Sequence, residues 1–136
     1  NDAKKNNIDL FIASAYRSYE YQKNLYTNYV LTYGQEYTDT ISAQPGFSEH
    51  QTGLALDIIT YNQPMSNFKY TKAYQWLKNN SYKYGFILRY PENKEYITGY
   101  AFESWHYRYV GIKVAQEIFD ANITFDEYYA FYIKKY

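Results

Sequence analysis

Cysteine is absent from this chain, which excludes disulfide staples, thiolate metal sites and cysteine nucleophiles together. An excess of charge of either sign is missing as well. Fourteen basic and fourteen acidic residues leave a formal net charge of zero, so nucleic acid is not expected as a partner. No apolar run approaches the ~20 residues of a membrane span and no signal peptide is visible, so no membrane contact is expected from this segment. Histidine is scarce, at two residues. What remains is a 136-residue chain, long enough for one domain with its own core. Its excess is tyrosine, at 21 residues. Tyrosine buries a large ring while keeping a polar tip, which suits core margins and the walls of a groove.

Both histidines lie beside carboxylates. In Ser48-Glu49-His50-Gln51-Thr52-Gly53-Leu54-Ala55-Leu56-Asp57, an imidazole precedes a carboxylate across mostly small or apolar residues. The apolar run 54–59 reads as a short buried strand, bounded by Gly53 and by a polar turn over 60–64. Gly53, Ala55 and Asp57 share one face of it, so two nearly absent side chains leave room beside the carboxylate. An inward carboxylate needs a partner, because burying it alone is costly. The second histidine comes in Glu103-Ser104-Trp105-His106-Tyr107-Arg108-Tyr109. A lone buried histidine is more often a hydrogen-bonded core residue than a ligand. Two histidines with an aspartate, however, make the three-ligand set of an open, catalytic zinc site, with Glu103 suited to act as general base. A strand over 105–109 would put positions 103 and 106 on opposite faces, so Glu103 is expected in the preceding loop, curling back toward the metal. Glu49 reads either as a surface carboxylate or as a partner that orients a ligand imidazole.

The set Ser-x-His-x6-Asp, then Glu-x-Trp-His, preceded by Ser-x-Tyr-Arg-Ser at 14–18, resembles the VanY-type zinc D-alanyl-D-alanine carboxypeptidases. It is also similar to their close relatives, the LdcB-type L,D-carboxypeptidases. The resemblance spans roughly residues 10–112, with the three blocks in the family's order. It implies a zinc cofactor held by His50, Asp57 and His106, with Glu103 as catalytic base. Arg17 is implied as the cation that holds substrate and stabilises the oxyanion, and Ser48 and Gln22 match positions that contact substrate. The implied partner is a peptidoglycan stem peptide or precursor, met outside the cytoplasm at the cell surface or wall by a monomer. The implied reaction is removal of C-terminal D-alanine, D,D-cleavage being favoured and L,D-cleavage of tetrapeptide stems the alternative. A phage-lysin-like endopeptidase is a third option, against which the Glu-Ser-Trp-His form speaks. From another class comes a non-catalytic, zinc-containing module that binds cell wall or protein; the presence of both Glu103 and Arg17 counts against it. Because the chain opens abruptly at polar Asn1, residues 1–136 are read as a single catalytic domain excised from a longer exported or anchored protein.

Two other patterns are discounted. Ser66 and Lys69 fit the Ser-x-x-Lys of penicillin-binding proteins, but neither Lys-Thr-Gly nor Ser-Asp-Asn accompanies them. No His-Glu-x-x-His helix occurs, which argues against thermolysin-like proteases.

Along the chain, residues 1–7 are expected to be loose and 8–16 to form a strand that delivers Arg17 at its end. Ser18 reads as an N-cap, Tyr21, Leu25, Tyr26, Tyr29 and Thr32 as a helical stripe, and Gly34 as the stop. Residues 35–47, with Pro45-Gly46, read as a loop. A helix is expected from about Lys69 or Thr71 to Asn79 or Tyr82, a strand over 86–89, and turns at 91–93 and 98–99. One or two amphipathic helices over 112–120 and 125–133 complete the chain. The fold class expected is α+β: a small, mainly antiparallel sheet covered by helices on one side, with the zinc site on the sheet.

Overall fold

In a computed structural model, residues 1–61 and 63–134 are described. Asn62, within the polar turn expected over 60–64, lies outside the described residues. Strands β1 (Phe11–Ser14), β2 (Ala55–Ile59), β3 (Phe86–Leu88) and β4 (His106–Tyr109) form one sheet in the order β1-β2-β4-β3. Every pairing is antiparallel, in accord with the α+β expectation. The register sets Ser14 opposite Asp57 and Asp57 opposite His106. The Arg89 N–H then donates to the His106 carbonyl at 3.1 Å, so one row crosses the sheet through Ser14, Asp57, His106 and Arg89. A register shift between Ile12 and Ser14 makes this alignment possible: the extra residue re-aims the end of β1 toward Asp57.

The side of β2 and β4 that carries Ile58 and Tyr107 packs with Phe68, Ala73, Tyr74 and Leu77, the last three from α4 (Lys72–Asn80). Thr71 caps that helix, its Oγ1 accepting from the Tyr74 N–H at 3.1 Å. A second cluster joins Ile87 of β3 to Ala115 and Ile118 of α6 (Ile112–Ala121) and Tyr128 of α7 (Phe125–Tyr128). Helix α7 starts in a full capping box, Thr124 with Glu127. Between α4 and β3, Gly85 takes φ +82°, and a Cβ there would lie 2.6 Å from the Tyr109 ring. Only glycine fits this approach.

Helix α2 (Tyr19–Tyr33) begins and ends where expected. The Ser18 Oγ accepts from the Tyr21 N–H at 3.2 Å, and Gly34 stops the helix at φ +83°. Its inner face differs from the expected stripe: Gln22 is its buried residue, flanked by half-buried Leu25, Tyr26, Tyr29 and Val30, while Tyr21 and Thr32 are exposed. Leu25, Tyr26 and Tyr29 of the expected stripe do turn inward; the departure is Gln22 near the helix start, a polar residue that an apolar pattern passes over.

Three further local expectations are corrected. The amino terminus is not loose: α1 (Asp2–Lys5) buries Ala3, and the Tyr84 hydroxyl donates to Asp2 at 2.7 Å. Its acidic start and basic end suit the helix dipole. The strand expected over 8–16 is only Phe11–Ser14. Residues 35–47 are not all loop, because α3 (Gln35–Ile41) begins directly at Gly34 and doubles back on α2. The turn signal of Pro45-Gly46 acts only on the residues after α3.

Candidate metal centre and its groove

His50 sits in a 3-10 turn, Glu49–Thr52, between Ser48 and Gly53. Its carbonyl accepts from the Arg17 N–H at 3.2 Å, which ties the end of the β1 segment to this turn. Asp57 comes from β2 and His106 from β4. These three residues each bring one donor atom within 4.8 Å of the others, and all three are buried. His50 Nε2 and His106 Nδ1 each lie 3.2 Å from Asp57 Oδ1.

The hydrogen-bond partners decide which ring nitrogens are free. His50 Nδ1 faces the Ala15 carbonyl at 2.6 Å, and a carbonyl only accepts, so the Nδ1 carries the proton and Nε2 the lone pair. His106 Nε2 lies 3.4 Å from Glu49, so its proton belongs there and Nδ1 is the free nitrogen. Two imidazole lone pairs and a carboxylate thus converge on one point. Such a convergence demands a cation or an extra proton. The donor set, two neutral imidazoles and one carboxylate, fits zinc.

The charges around this point follow from it. Burial opposes ionisation of Asp57, but the facing His106 and His50 rings, which favour its charge when a proton bridges them, outweigh it and hold the carboxyl well below its usual range. Burial likewise works against the His106 imidazolium, yet acceptance by Asp57 and Glu49 pushes the ring up to about 9. In Glu103 burial wins, reinforced by the charge of Asp57 against the pull of His106, and the carboxyl is pushed up to about 7. As expected, Glu103 precedes the strand and curls back: its Oε2 lies 3.6 Å from His106 Nδ1. A raised carboxyl beside a metal-ligating set is suited to moving protons near neutral pH.

Arg17 and Ser48 also reach the site. The Arg17 guanidinium pairs with Asp57 Oδ2, and its Nε donates to Ser14 at 2.8 Å. Ser48 is buried on the groove wall. Gln22 lies opposite, its Nε2 donating to the Ala43 carbonyl at 2.8 Å and to Ser42 at 3.2 Å. Its Oε1 is buried with no hydrogen-bond partner among the described residues. Together these residues and Tyr90, Glu103 and Trp105 line a groove of about 290 Å³ over the three donors. A larger cavity, of about 520 Å³ between α4, β3 and α6, has Lys78, Glu92 and Lys94 as its charged lining and no histidine. Ser66 and Lys69 lie away from the groove, with Lys69 over the rings of Tyr70 and Phe102.

Glu49 is not a surface carboxylate. Its side chain is 14% exposed and accepts from Arg89 Nε at 2.8 Å, with Arg108 Nη1 at 3.1 Å. Burial opposes its charge, but the contacts to His106 and Arg89 hold it at about 2. Arg89, Arg108 and Asp126 were not found from the sequence, since nothing local marks a cation that will meet a carboxylate 40 residues away.

The chain is similar to known proteins over most of its length. The model of the VanY family, described as D-alanyl-D-alanine carboxypeptidase, matches residues 1–112. The putative carboxypeptidase YodJ of Bacillus subtilis is 45% identical over 133 residues, 93% of this chain and 48% of its own. The structure of the LdcB LD-carboxypeptidase has a TM-score of 0.88 at 45% identity, covering 95% of this chain and 62% of that one. A mutant of the D,D-pentapeptidase VanY from a VanB-type vancomycin resistance cassette, solved with Zn(II), has a TM-score of 0.84 at 37% identity, covering 93% and 75%. The chain spans about half the length of the curated YodJ protein it matches.

Proposed function

Since the chain belongs to the VanY family of D-alanyl-D-alanine carboxypeptidases, we propose that it is a zinc carboxypeptidase removing C-terminal D-alanine from peptidoglycan stem peptides. The observation that carries this reading is the convergence of His50, Asp57 and His106 within 4.8 Å, with Glu103 beside them in the groove. Residues 1–136 act as one catalytic domain, outside the cytoplasm, where the cell wall lies.

His50, Asp57 and His106 would hold the zinc ion, which when bound would supply Lewis acidity to the scissile carbonyl. Glu103 takes a proton from the attacking water and passes it to the leaving amine, a task matched to a carboxyl near 7. Arg17, anchored by Asp57 and Ser14, turns its charge toward the oxygen that becomes negative. Ser48 holds the terminal carboxylate. The unpaired Gln22 Oε1 accepts an N–H from the stem peptide.

Two cleavage specificities share this core. D,D-cleavage of a pentapeptide stem, the favoured reading, follows the family's description. L,D-cleavage of a tetrapeptide stem is supported by the closer identity to LdcB, 45% against 37% for the D,D-pentapeptidase. Incubating the zinc-loaded protein with each peptide and measuring released D-alanine separates them. Release from the tetrapeptide alone assigns L,D-activity, and release from the pentapeptide alone assigns D,D-activity. Stoichiometric zinc with no release from either would overturn the enzymatic reading in favour of a binding module.

A further inference from the structure

Among the described residues, Glu49 is the acceptor at the second nitrogen of His106, and its own position is set by other residues. Arg89 is 8% exposed and uses its guanidinium on two carboxylates at once. Its Nε donates to Glu49 Oε1 at 2.8 Å, while Nη1 and Nη2 donate to Asp126 at 2.5 and 3.2 Å. The guanidinium lies against the rings of Tyr90 and Phe125, at 4.9 and 5.6 Å to the centroids. Its backbone N–H is bonded to the His106 carbonyl, so both ends of Arg89 are fixed relative to that histidine.

We propose that Asp126 and Arg89 are positioning residues for the metal ligand His106, acting through Glu49. The inference rests on the zinc-site reading of His50, Asp57 and His106. Asp126 lies beyond residues 1–112 that the family model matches, so helix α7 adds a support that the motifs do not contain. The physical chain has three links. Asp126 holds two of the guanidinium's donors, which fixes the direction of the third. That third donor fixes a Glu49 oxygen, leaving the other to accept from His106 Nε2. With its proton held there, His106 presents Nδ1 as a lone pair toward Asp57 and the metal. Arg108 also meets Glu49 Oε1, but among the described residues its tie to α7 is the ring of Phe125 at 6.0 Å, which has no carboxylate to orient the guanidinium.

The test compares two substitutions on the same helix in the full chain. Asp126→Ala cuts the chain to His106. Glu127→Gln weakens the capping box and the tie to Lys94 without touching Glu49. Zinc affinity is measured by competition with a chromophoric chelator, and the His106 tautomer by ¹⁵N NMR of the zinc-loaded protein. Asp126→Ala is expected to weaken zinc binding about tenfold or more and to perturb the Nε2–H signal, with Glu127→Gln near wild type in both. Asp126→Asn keeps the shape and should show the same direction should the alanine variant fail to fold. Unchanged affinity in the Asp126 variants, or an equal loss in Glu127→Gln, overturns the proposal. Zinc bound with the expected pattern but no peptide hydrolysis sinks only the function proposed above. A wild-type chain that binds no zinc sinks both.

Discussion

Asp57 and His106 stand directly opposite each other on the two central strands, and Asp57 Oδ1 lies 3.2 Å from His106 Nδ1. The backbone ladder imposes this approach, so the side chains cannot relieve it by drifting apart. Zinc must therefore compete with a proton. In the metal-free protein His106 is pushed up to about 9, and below that pH it holds a proton it must lose to become a ligand. At least one proton should leave per zinc bound at pH 6, and affinity should fall about tenfold for each pH unit lowered from 8 to 6. Calorimetry in buffers of different ionisation enthalpy reads the proton count. Heats that do not depend on the buffer would refute the prediction.

Removing the base should separate binding from chemistry. Glu103→Ala is expected to lower D-alanine release by about 10² to 10⁴-fold while zinc content stays at one per chain. Metal analysis alongside the peptide assay checks both halves. Retained turnover would end the assignment of Glu103 as base.

The same residue should cost the metal-free fold stability. Glu103 ionises in the fold near 7, against 4.5 for the free side chain. Its raised value means that the folded state is penalised progressively as pH climbs from 4.5 to 7, and fully above. Below 4.5 the penalty vanishes. Metal-free Glu103→Gln should therefore exceed the metal-free wild type by about 2–3 kcal/mol at pH 8 and by nothing at pH 4. Urea unfolding at the two pH values measures this. An equal gain at both would point to packing rather than charge.

Gln22 should act on substrate affinity. Its Oε1 is buried without a hydrogen-bond partner among the described residues, while Nε2 is already engaged by Ala43 and Ser42. Gln22→Leu keeps the volume and removes the acceptor, so KM should rise about tenfold with little change in kcat. Steady-state kinetics on the preferred stem peptide tests it. A fall in kcat at constant KM would place Gln22 elsewhere in the reaction.

The convergence of His50, Asp57 and His106 was legible because these residues carry short-range marks. Gly53 and Ala55 leave room beside Asp57, and Glu103 precedes a strand by the spacing that lets it curl back. The family resemblance supplied the roles of Arg17, Ser48 and Gln22. The Asp126–Arg89–Glu49 chain was not legible, since it joins a turn, a strand end and the last helix over separations of 40 and 37 residues. Helix α3 was missed for a different reason. Its sequence, QEYTDTI, has no apolar stripe, and its position is set by Gly34 ending one helix and opening the next. The start of α1 shows the same limit: a single buried Ala3 and an ion pair of Asp2 with Lys5 leave no periodic signal.

The buried residue of α2 is polar, Gln22 near the helix start, whereas Asp57 and His106 sit on strands paired on both sides. Local opening draws on the least anchored elements first. The wall built on the sheet is therefore expected to open less readily than the wall built on α2. Amides of β2 and β4 should stay protected from deuterium long after those of α2 have exchanged. A molecule entering the groove would then be accommodated on the helical side, with the residues on β2 and β4 left in place.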